Sequence, residues 1–116
     1  MKVKVKLYIK NDRFIAGTTL KDKSFPEENN MALHVCENPN YIIENREKLA
    51  TFLQTDLRNF VCANQTHSAN FHKVTMEDKG RGATTLENAI PNTDALYTFE
   101  NNIVLATFTA DCASVM

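Results

Sequence analysis

Glycine occurs only three times in the 116 residues, at Gly17, Gly80 and Gly82. Loops that cradle phosphates in the G-x-G-x-x-G or G-x-x-x-x-G-K-[ST] patterns need glycine where the backbone approaches the anion. Neither pattern can be written with this set, so dinucleotide and P-loop sites are excluded. Three cysteines, Cys36, Cys62 and Cys112, are an odd number without C-x-x-C spacing, and they make no disulfide framework. Reduced thiols are expected. No apolar run approaches the roughly 18 residues of a membrane span. Lysines interrupt Met1–Lys6 where a signal peptide would need an apolar core, which places the chain in the cytoplasm. An excess of charge is also missing: 13 basic and 14 acidic residues leave a net −1. Such a surface has no long-range field to gather nucleic acid or anionic lipid.

What is present is the composition of one globular domain, 43% apolar and 23% charged, without repeats or low-complexity tracts. Val3, Val5, Leu7 and Ile9 alternate with Lys2, Lys4, Lys6, Tyr8 and Lys10, the pattern of a half-buried strand. Its lysine face reads as a solvated edge that discourages aggregation rather than as a nucleic-acid ribbon. Asn11-Asp12 and a second run from Arg13 to Thr19 complete an expected hairpin. Residues 21–30 are polar and contain Pro26, so they read as a mobile loop. Asn38-Pro39 is an N-cap followed by proline at the first helical position, and Ile42, Ile43, Leu49, Ala50, Phe52 and Leu53 continue at helical spacing. Beyond lie expected strands at Phe60–Ala63, up to Val74, at Asp94–Thr98 and at Ile103–Thr109, with a long connection over 76–93. Many strands and one dominant helix argue for an α+β fold. The chain stops just after the run Ala110–Val115 without a closing helix or tail, and it reads as a partial domain whose open face needs further sequence or a partner.

The residues able to carry metal or nucleophilic chemistry are His34, His67, His72 and the three cysteines. His34 lies in an apolar Leu33-His34-Val35 run and reads as a satisfied, partly buried strand residue. His72 reads as an exposed strand residue, and Cys36 and Cys62 as small apolar side chains. His67 differs, because it stands in Asn64-Gln65-Thr66-His67-Ser68, a polar run between two strands. Cys112 follows Thr109-Ala110-Asp111 at the end of an apolar strand. Strand ends are where scaffolds present reactive groups. An imidazole and a thiolate are good zinc ligands; the same pair can also form a dyad in which His67 activates Cys112.

In order along the chain, Asn64-Gln65-Thr66-His67-Ser68, Asp78-Lys79-Gly80-Arg81-Gly82, Asp94-Ala95-Leu96-Tyr97-Thr98 and Thr109-Ala110-Asp111-Cys112 resemble the laccase-domain family, also called multicopper polyphenol oxidase-like. Leu33-His34-Val35 through Asn45-Arg46 resembles its strand, turn and helix carrying Asn-Arg. The resemblance implies a layered α/β/β/α fold of which residues 1–116 are the N-terminal half. It also implies a zinc-dependent purine nucleoside phosphorylase that converts adenosine, inosine, guanosine or methylthioadenosine, with phosphate, to base and sugar 1-phosphate. Deamination of adenosine to inosine is a possible second activity. His67 and Cys112 take the family's zinc-ligand and catalytic positions, and a third ligand, a downstream histidine, is absent from these residues. Leu20-Lys21-Asp22-Lys23 replaces a family glycine pair, and Cys36 stands where glycine is usual.

Within that resemblance Arg81, flanked by glycines, is a candidate phosphate clamp with a loop arginine as the alternative. Arg46 is a weaker substrate-binding candidate and more naturally orders the helix against the sheet. Nucleosides and phosphate are the expected partners, nucleic acid and membranes are not, and self-association through the C-terminal strand region is the alternative to catalysis. A metal-free Cys-His hydrolase or deamidase is the other reading. Copper oxidation is discounted because multicopper sites need many histidines and the chain has three.

Overall fold

Asn38 opens helix α1 (Pro39–Phe52) as anticipated: its side-chain oxygen accepts the Asn40 amide at 3.0 Å, and Pro39 supplies the first helical φ without a wasted donor. Gln54 ends the helix by adopting a left-handed φ of 57°, and the Leu53 amide returns to the Leu49 carbonyl. Ile42, Asn45, Arg46 and Ala50 form its buried face. The computed structural model describes residues 3–108, so Cys112 and the rest of 109–116 lie outside the described residues.

Six strands follow the alternating runs: β1 (Val5–Lys10), β2 (Ile15–Thr19), β3 (Phe60–Cys62), β4 (Phe71–Val74), β5 (Ala95–Thr98) and β6 (Val104–Ala106). They pair as three two-stranded sheets among the described residues. β1 and β2 form the expected antiparallel hairpin, with a bulge between Leu7 and Ile9. β3 pairs with β6 and β4 with β5, both in parallel. Sequence neighbours β5 and β6 therefore go to different sheets.

The core is organised by β3, which is buried on both faces. Phe60 packs with Ala50, Leu57 and Ala83, flanked by Ile43, Leu49 and Leu53 of the helix region. Val61 and Ala63 point the other way, to Val74 and Ile90, with Leu96, Ile103 and Leu105 around them. Burying a side chain such as Phe60 contributes about 2–3 kcal/mol. The edge of β3 away from β6 is covered by a loop: the Gly80 amide donates to Phe60 O and the Cys62 amide to Arg81 O. Gly82 makes this approach possible, because its φ is +73° and a Cβ there would lie 2.6 Å from Cys62 O.

Three expectations are corrected. The β1–β2 hairpin is not half-buried: Leu7, Ile9, Phe14 and Ile15 are all exposed. Its alternation is a strand's, but no layer among the described residues covers the apolar side. Residues 21–30 are not a loose loop. Glu27 accepts the Glu37 and Asn38 amides, the buried Asn45 amide donates to Pro26 O and Asn30 O, and Phe25 is buried. Leu33-His34-Val35 is a turn rather than a strand, and His34 is exposed. Among the described residues no helix is long and apolar enough to cross a membrane.

Candidate functional site

Because β3 and β6 run in parallel, the segments that leave their C-terminal ends start side by side, about 4.8 Å apart. One is Asn64–Ser68 and the other begins at Thr107-Phe108. Short polar side chains let the first turn sharply. Ala63 bridges to Ile90, the Asn64 amide donates to Ile90 O, and the Thr93 amide donates back to Asn64 O. Asp94, immediately before β5, then collects the loop. Its carboxylate accepts the amides of Thr66, His67 and Ser68 at 2.9, 2.9 and 3.1 Å, and the Ser68 hydroxyl at 3.1 Å. Thr66 Oγ1 adds a bond to Asn92 Oδ1 at 2.5 Å. The donated amides of Thr66, then Ser68, hold the Asp94 carboxyl below its ordinary pKa, against a smaller opposing effect of burial.

This clamp holds His67 at a φ of 57°, a left-handed conformation that histidine adopts at a cost. The residue is exposed, and its imidazole makes no hydrogen bond to the described residues. The main chain is thus fixed while the side chain is free among the described residues.

Gln65 joins the two strand ends. Its Nε2 donates to Phe108 O at 3.1 Å and its Oε1 accepts the Phe108 amide at 2.8 Å. The Arg46 guanidinium lies 5.0 Å from the centre of the Phe108 ring, and the His34 ring 6.1 Å from it. Cys112 is four residues beyond Phe108, a span of at most about 14 Å.

Arg46 is 2% exposed and donates to Met31 O, Gly82 O and Ala83 O. Its contacts are those of the ordering role, tying α1 to the glycine loop. Arg81 donates to Asp78 Oδ1 and Asn88 O. Those bonds bring it to Asp78 and not to His67, and 35% of its side chain remains exposed. His72 Nε2 is 3.1 Å from the other Asp78 oxygen. Burial pushes the Asp78 carboxyl up, but the Thr75 amide, His72 and Arg81 outweigh it and the net shift is down. Cys62 is buried and burial raises its thiol pKa, fitting the expected apolar role. Cys36 is half-buried, beside Glu27, Glu28, Val35 and Glu37. Among the described residues no three His, Cys, Asp or Glu side chains converge as a metal-binding group.

Sequence reasoning missed Asp94 and the part played by Gln65. Both stand in the quoted segments, but their partners are 26–28 and 43 residues away and no local spacing announces them.

Residues 17–116 match the family model described as multi-copper polyphenol oxidoreductase laccase. The chain is 41% identical over 107 residues to the purine nucleoside phosphorylase YlmD of Bacillus subtilis (strain 168), covering 88% of this chain and 38% of that protein. It is also 41% identical over 86 residues to the purine nucleoside phosphorylase YlmD of Geobacillus stearothermophilus, covering 74% and 31%. The crystal structure of the Bacillus licheniformis hypothetical protein YfiH superposes with a TM-score of 0.74 at 40% identity, over 78% of this chain and 36% of that one. The chain thus spans about a third of the length of these relatives.

Proposed function

Because the chain belongs to the multi-copper polyphenol oxidoreductase laccase family, we propose that it is the part of a zinc-dependent purine nucleoside phosphorylase that supplies His67 and Cys112 to the metal. The purine nucleoside phosphorylases among its relatives support the reaction class. One geometric observation carries the site: parallel strands β3 and β6 deliver the His67 loop and the segment leading to Cys112 to the same end, joined there by Gln65. Ligands in open parallel sheets bind outside the carboxyl ends of strands for the same reason. The layered α/β/β/α architecture is the matching proposal for the fold, with α1 on one side of the β3–β6 pair and β4–β5 on the other.

A neutral imidazole and a thiolate suit zinc, and His67 has an exposed ring on a pinned backbone. Bound zinc supplies Lewis acidity toward a phosphate or water oxygen. The chain's own contribution is to hold the imidazole at a fixed point, through Asp94, and to keep the neighbouring strand end in register, through Gln65. Of the two arginines, Arg81 is the one reached by solvent, and it would contact phosphate only by leaving its bonds to Asp78 and Asn88; Arg46 acts from beneath, through Phe108.

Chromatography of the products from adenosine, phosphate and the zinc-supplemented chain tests the reading. Adenine with ribose 1-phosphate, lost in His67→Ala and on chelation, is expected. Inosine alone would replace phosphorolysis by deamination. Turnover that survives chelation but not thiol alkylation would replace zinc by a thiol nucleophile.

A further inference from the structure

We propose that residues 25–31 form a strained strap, latched shut by the Glu27 carboxylate, whose opening uncovers the Cys36 thiol. The strap is independent of the zinc reading. Glu27, Glu28 and Asn29 stand in succession at φ values of 49°, 56° and 69°, a left-handed run made without glycine. An L side chain crowds the following carbonyl oxygen in that conformation, so three in a row persist only where the surroundings hold them.

The contacts that hold them are few. Both Glu27 carboxylate oxygens accept a main-chain amide, Oε1 from Glu37 at 3.0 Å and Oε2 from Asn38 at 2.8 Å. Those amides, Glu37's first, hold the Glu27 carboxyl below its ordinary pKa. The Asn30 side chain donates to Val35 O at 2.6 Å. From α1, the Asn45 carboxamide donates to Pro26 O and Asn30 O, and the Lys48 ammonium lies 4.8 Å from the centre of the buried Phe25 ring.

Two of these bonds bracket one residue. Val35 and Glu37, held by Asn30 and Glu27, are the neighbours of Cys36 on either side. Cys36 lines a cavity of about 470 Å³ together with Glu27, Glu28, Val35 and Glu37, so the strap carboxylates and the thiol share one cleft. Its Sγ is turned to Leu33 O at 3.4 Å. A strap that opens releases both neighbours at once and removes the wall that Glu27 and Glu28 form. Strain favours opening, the charged double hydrogen bond opposes it, and one side chain decides the balance.

Amide exchange and thiol alkylation read the opening in the full 116-residue chain. Exchange detected by NMR follows the Glu37 and Asn38 amides, and a pulse of iodoacetamide with peptide mapping follows Cys36. The Cys62 amide, bonded to Arg81 O in the core, reports unfolding of the whole. In Glu27→Gln an NH2 group replaces one accepting oxygen, so one of the two bonds is lost. Exchange at Glu37 and Asn38 and alkylation of Cys36 are expected to rise about tenfold or more. Ile90→Val, which weakens the core around Val61, should speed exchange at Cys62 and leave the strap readouts unchanged, separating a local opening from general unfolding. Strain is isolated by comparing Glu28→Ala with Glu28→Gly: both delete the exposed ion pair to Lys21, and only glycine takes a φ of 56° freely. The glycine variant is expected to exchange and alkylate about twofold to fivefold more slowly than the alanine one. If Glu27→Gln does not fold, the Glu28 pair decides the matter. Unchanged exchange in Glu27→Gln, faster exchange there without faster alkylation, strap readouts that rise with Cys62 in Ile90→Val, or a glycine variant no slower than the alanine one would overturn the proposal.

Discussion

Two aspartates hold histidines in this molecule in opposite ways. Asp78 accepts from the side chains of His72 and Arg81 as well as from the Thr75 amide, so the titratable groups around it are consumed in holding one another. Asp94 accepts backbone amides at Thr66, His67 and Ser68 together with the Ser68 hydroxyl, and the His67 imidazole is left over. The difference separates a histidine whose ring is engaged by the fold from one whose ring is free among the described residues. It also locates the backbone cost: His67 has a φ of 57°, whereas His72 sits in regular strand β4.

That contrast predicts opposite signs for two substitutions. His72→Ala removes a partner from the half-buried Asp78 network and should destabilise by about 1 kcal/mol, read as a lower midpoint in denaturant. His67→Gly relieves the left-handed strain and should stabilise by about 0.5–1 kcal/mol while removing the candidate ligand. A loss of stability in His67→Gly would mean that the ring packs rather than waits, and the contrast would collapse.

A smaller effect comes from acid. Both carboxyls have folded pKa values below their unfolded ones, so each contributes stability that is fully present above pH about 4 and lost as the pH falls through the depressed folded value. Melting temperature should therefore drop on acidification below about pH 4, and part of the drop should vanish in Asp94→Asn, which cannot be protonated. An acid slope identical in that variant would show that the amides around Asp94 do not favour its charge.

What could be read from the sequence divides along the same line between local and distant partners. The Asn38-Pro39 helix start, the buried Phe60–Cys62 strand and the exceptional placing of His67 were legible, because cap, period and polarity are local properties. The exposed hairpin was not, since alternation says that one face is apolar and not that anything covers it. Residues 21–30 looked mobile because the partners that pin them, Asn45 and the Glu37 and Asn38 amides, lie up to 19 residues on. Parallel pairing of β3 with β6 was equally hidden, although it is what brings the Asn64–Ser68 loop and Thr107-Phe108 to one end. The family resemblance named a role for His67 that the local pattern left open.

The most direct test of the central claim is zinc affinity, measured by competition with a chromophoric chelator, for the unaltered chain and four variants. Free imidazole on an Asp94-clamped loop predicts saturable binding that is abolished in His67→Ala, weakened about 10–100-fold in Asp94→Ala, and unchanged in His72→Ala and Asp78→Asn. Binding that survives in His67→Ala, or that is lost in His72→Ala and Asp78→Asn instead, would contradict the account.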